Sequence, residues 1–146
     1  MSKIRFDVHP RADLGNTLEI VPAIDEVDLT DLIHAFERRA ELETRASSYG
    51  GLIPAHYDFG PIDLHLLGAA KGGASGKVAL LGCSCGEWGC WPLLARIVAT
   101  PSSVTWSDFE QPFRKQRDYS AFGPFSFARG EYERALVDLR AALPSG

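Results

Sequence analysis

Long apolar runs are missing from this chain. Nowhere do about 18 uncharged apolar residues follow one another, and the opening MSKIRFDVHPRADL has no apolar core of the kind a secretion signal carries. The expectation is therefore no membrane span, no signal peptide and a cytoplasmic location, where thiols stay reduced. Basic excess is missing too. Fifteen Lys and Arg stand against 19 Asp and Glu, a formal charge of −4, which supplies no field to draw the protein to phosphate backbones or anionic lipid. Nucleic acid and membrane surfaces are excluded as main partners on that ground. Cysteine is scarce: all three lie between Cys83 and Cys90, an odd and clustered set that argues against a secreted disulfide framework.

What is present fits one soluble domain, residues 1–146, with 45% hydrophobic and 23% charged residues and enough length for a sizeable core without staples. Lys3 to His9 alternates, with Ile4, Phe6 and Val8 on one face, and Thr17 to Val21 follows after turn residues, so the chain opens with a hairpin. Leu29, Leu32, Ile33, Phe36 and Ala40 recur at helical spacing. They predict a helix over 29–46, capped by Asp28 or Thr30 and stopped at Gly50-Gly51. Ile62 to Leu67 reads as a short strand. Lys77 to Cys85, Cys90 to Thr100 and a strand opening at Val104-Thr105-Trp106 form a meander of three. The aromatic-rich stretch 111–127 reads as irregular cover for a sheet edge. Tyr132, Leu136, Leu139 and Leu143 form the stripe of a last helix over 130–143. Adjacent-strand meanders flanked by two amphipathic helices predict an α+β domain, a mostly antiparallel sheet with both helices packed on one face.

The stretch LLGCSCGEWGCWPLLARI, residues 80–97, raises the chemical question. Residues i and i+2 of a strand share a face, so Cys83 and Cys85 point the same way; a four-residue loop Gly86 to Gly89 sets Cys85 opposite Cys90. Three sulfurs then cluster. A zinc site needs a fourth ligand, for which His56 and His65 are the candidates. The spacing C-x-C-x4-C lacks the paired C-x2-C knuckles of structural zinc sites, however. A thiol enzyme needs a thiol with depressed pKa, whereas Glu87 beside the cluster pushes the other way. A Cys85–Cys90 bridge fits by position and is disfavoured by compartment. The preferred reading is that small, soft cysteines pack inside a hairpin whose tight tip requires Gly86 and Gly89.

CSCGEWGCWPLLARI followed by VTWSDFEQP resembles a diffuse group of small uncharacterised bacterial proteins in which a C-x-C-G-x-x-G-C turn precedes a strand and a V-x-W-x-x-F segment. Some members of that group look like immunity or accessory proteins encoded near toxins. The resemblance covers about Leu80 to Pro112, and it implies protein binding rather than chemistry.

Elsewhere, KGGASGKV lacks the first glycine and the hydroxyl of a phosphate loop, and a strand follows it. His56, Asp58, Asp63 and His65 form a loose set in a loop region. Arg114 to Arg117 reads as a solvated turn or a contact for the acidic first helix. Trp88, on a glycine-flanked tip, either folds down onto the sheet or anchors a partner, and Glu87 next to it suits a basic surface. The functional expectation is thus a non-enzymatic, immunity-like or accessory domain that needs no cofactor. It binds another protein, a basic toxin-like one, through Glu87 and Trp88. Zinc held by Cys83, Cys85, Cys90 and His56 or His65 is the alternative, and a thiol-dependent enzyme the second.

Overall fold

The computed structural model describes residues 1–41, 49–56, 60–68, 76–83, 92–112 and 117–144. The architecture is α+β, as the sequence predicts, with eight strands in two antiparallel sheets and three helices among the described residues. The opening hairpin is longer than its alternation suggested: β1 (Ile4–Arg11) pairs with β2 (Thr17–Ile24) over its whole length, from Ile4↔Ile24 to Arg11↔Thr17. β3 (Val27–Asp28) adds two residues to the other edge of β2 through a two-residue turn, Asp25-Glu26, both at positive φ.

The second sheet runs in the order β4 (Tyr49–Gly50), β5 (Val78–Cys83), β6 (Leu93–Ala99), β7 (Ser103–Glu110) and β8 (Phe125–Ala128). The expected meander is there, extended by one strand at each side. Phe125 and Phe127, read from sequence as irregular cover, instead pair along β7, because alternate residues of that stretch pack inward: Phe127 is fully buried.

Single bridges join the two sheets at both ends. Ile20 and Leu52 exchange both backbone hydrogen bonds, at 2.8 and 2.9 Å, and Ser2 N donates to Ser126 O at 2.8 Å. Hydrogen-bonded neighbours therefore lead from β1 through β2 to Leu52 beside β4, across to β8, and back to β1 through Ser2. Gly51 permits the first junction: a Cβ there would lie 2.5 Å from Ile20 O. Its N–H also donates to the buried Glu19 carboxylate at 2.9 Å.

Helix α1 (Leu29–Arg39) packs against β2 and β3, burying Leu29, Ile33, Phe36 and Glu37. It ends seven residues before the predicted boundary. Glu41 takes a left-handed conformation, φ 59°, which stops the helical bonds, and Tyr49-Gly50 is a strand rather than the stop signal. Asp28 occupies the cap position without a side-chain cap bond. The strand expected over 62–67 is instead a short helix, α2 (Ile62–His65), whose backbone closes through His65 N→Pro61 O and Leu66 N→Ile62 O. Leu66 is thereby turned fully into the core. The last helix, α3 (Arg129–Ala142), lies on β1, β7 and β8 with Tyr132, Leu136 and Leu139 inward.

An aromatic block fixes α3 to both sheets. Tyr132 meets Phe6 edge-on at 5.6 Å between centroids, and Trp106 meets Phe127 at 5.0 Å. The buried polar atoms of that block pair internally: Trp106 Nε1 donates to Tyr132 Oη at 3.1 Å, and Tyr132 donates to Leu66 O. No described helix is long and apolar enough to cross a membrane.

Candidate functional site

A buried carboxylate stands at one end of the five-stranded sheet. Glu37 follows Phe36 on the inward side of α1, four residues after Ile33, so the helical period carries it into the interior, where it is fully buried. Its Oε2 accepts from Tyr49 Oη at 2.8 Å and from Tyr119 Oη at 2.6 Å, and Arg117 Nη1 lies 3.4 Å away. Gln111 Nε2 donates to the Tyr49 hydroxyl in turn. The Arg117 side chain is 8% exposed and Gln111 2%.

Backbone geometry brings Gln111 into this cluster. Val104 and Trp106 alternate inward along β7, and strict alternation would carry residues 108 and 110 inward after them. A bulge intervenes, with Asp108 at φ 52°, and the register with β6 jumps from Arg96↔Ser107 to Leu94↔Glu110. The phase flips there. Phe109 and Gln111 point inward while Asp108 stays at the surface, 3.1 Å from Arg96.

Burial, followed by hydrogen bonding to Tyr119 and the charge of Glu37, raises the Tyr49 phenol well above its ordinary range. Burial and then the Glu37 hydrogen bond raise Tyr119 in the same direction. Both hydroxyls thus remain protonated donors to the carboxylate. Such a cluster can tie α1 to the segments around Tyr49 and Tyr119.

The sequence does not single out Glu37, Tyr49 or Gln111, and Tyr119 figures there only as an aromatic beside the basic stretch Arg114 to Arg117. The available signal was an acidic residue at a core position of the helical stripe. Of the two expectations for the Arg114 to Arg117 stretch, a solvated turn or a contact for the first helix, the second matches the approach of Arg117 to Glu37 on α1.

Of the residues read as chemical, Cys83 ends β5, its backbone paired with Tyr49. Cys85, Cys90, Glu87 and Trp88 lie outside the described residues, and so does Asp58. His56 is on an exposed turn, its N–H bonded to Ile53 O at 2.9 Å. His65 is buried, and its Nε2 sits 2.8 Å from Ala79 O. An imidazole held in that way spends its Nε2 proton on the carbonyl and offers no lone pair from that nitrogen to a metal. Burial also lowers the His65 pKa, which favours the neutral ring. Asp63 lies 3.7 Å from Arg140. Among the described residues no three His, Cys, Asp or Glu side chains converge into a metal-sized group. No family model, curated protein or solved structure matches the chain.

Proposed function

We propose that this protein is a non-enzymatic binding domain, immunity-like in role, which engages another protein of basic character through Glu87 and Trp88. The observation that carries this reading is the anchoring of the stem on which those two residues are mounted. β5 is hydrogen-bonded on both sides, to β4 and to β6, and Leu80, Leu81 and Leu93 are fully buried. The nine residues between Cys83 and Leu93 therefore leave from and return to fixed points. A segment tethered at both ends loses less freedom on docking than a loose one, which favours its use as a contact surface. The aromatic and acidic pair supplies an anchor and a charge for a basic partner.

The test is capture by immobilised protein, identification of the captured chain by mass spectrometry, and titration of the purified partner against Trp88→Ala and Glu87→Lys. Both variants should unfold as cooperatively as the parent and bind at least about tenfold more weakly, the loss of one anchoring contact. Affinity of the parent should also fall as salt rises. Unchanged affinity in both variants removes this surface from the account.

A further inference from the structure

We draw no further inference here: the strongest candidate, the open groove between β1 and α3 walled by Lys3, Arg5, Glu26, Glu131, Arg134 and Asp138, carries charges of both signs, and nothing in the structure shows what covers it.

Discussion

The Tyr119 hydroxyl donates to Glu37 Oε2 across 2.6 Å, joining residues 82 positions apart in the chain. The contact lies inside the fold, where a hydrogen bond to a charged acceptor contributes about 1.5–3 kcal/mol. Tyr119→Phe keeps the ring and its packing on Phe36, centroids 5.7 Å apart, and removes the hydroxyl, which donates to Glu37 and accepts from Arg117 Nη1 at 3.3 Å. Its unfolding free energy should therefore drop by about 1.5–3 kcal/mol in urea titration. Glu37→Leu should cost more, about 3–5 kcal/mol, because it removes the shared acceptor of the Tyr49 and Tyr119 hydroxyls together with one partner of a buried ion pair. A double-mutant cycle over Tyr119→Phe and Glu37→Gln should return a coupling of about 0.5–3 kcal/mol; a value near zero would show that the two groups act independently.

Acid should weaken the fold through His65. Burial lowers its pKa below the ordinary 6.5 in the folded protein, so the unfolded chain takes up the proton first as pH falls. Stability from this group is fully present above about pH 6.5 and declines as pH drops through that value toward the folded pKa. His65→Gln should flatten that part of the stability profile between pH 7 and pH 5. A parent profile that rises toward acid over the same interval would contradict the assignment.

Two glycines should respond to alanine with opposite signs. At Gly51 a Cβ meets Ile20 O at 2.5 Å, against backbone that cannot yield without opening the Ile20–Leu52 junction. Gly51→Ala should cost at least about 1–3 kcal/mol. At Gly130, in the first turn of α3, an added Cβ meets nothing within 4 Å. Gly130→Ala should add up to about 0.5–1 kcal/mol by limiting the unfolded chain. Thermal melts of the two variants distinguish a tight junction from an open helix surface.

Glu41 carries the conformation that ends α1, with φ 59° on an exposed residue. A side chain is strained there, and its negative charge sits at the negative end of the helix. Glu41→Gly should raise stability by about 1 kcal/mol. Denaturant midpoints of parent and variant measure it, and a lower midpoint in the variant would mean that the carboxylate has a stabilising contact.

Zinc content separates packed cysteines from a metal centre. Protein purified without chelator should carry less than about a tenth of an equivalent, far below the single ion a four-ligand site holds. One equivalent per chain by elemental analysis would reverse the reading of Cys83, Cys85 and Cys90 as packing residues.

Local period made much of the fold legible. Tyr132, Leu136 and Leu139 recur at helical spacing because one side of α3 must be apolar to lie on a sheet, and that need is written along the element itself. The alternation of β1, the β5–β6 pair and the α+β arrangement were readable for the same reason. Residues 62–67 were not, since so short an apolar run has no period that separates strand from helix; the backbone bonds from His65 and Leu66 decided it. The Glu37 cluster lay further out of reach. Its members come from α1, from β4, from the end of β7 and from the segment after it, and no local pattern links them. Ring closure at Gly51 and the bulge at Asp108 aim those side chains at one point. Register and phase are properties of strands already paired, so only the assembled sheet determines that a glutamine at position 111 faces a glutamate at position 37 across a shared tyrosine hydroxyl.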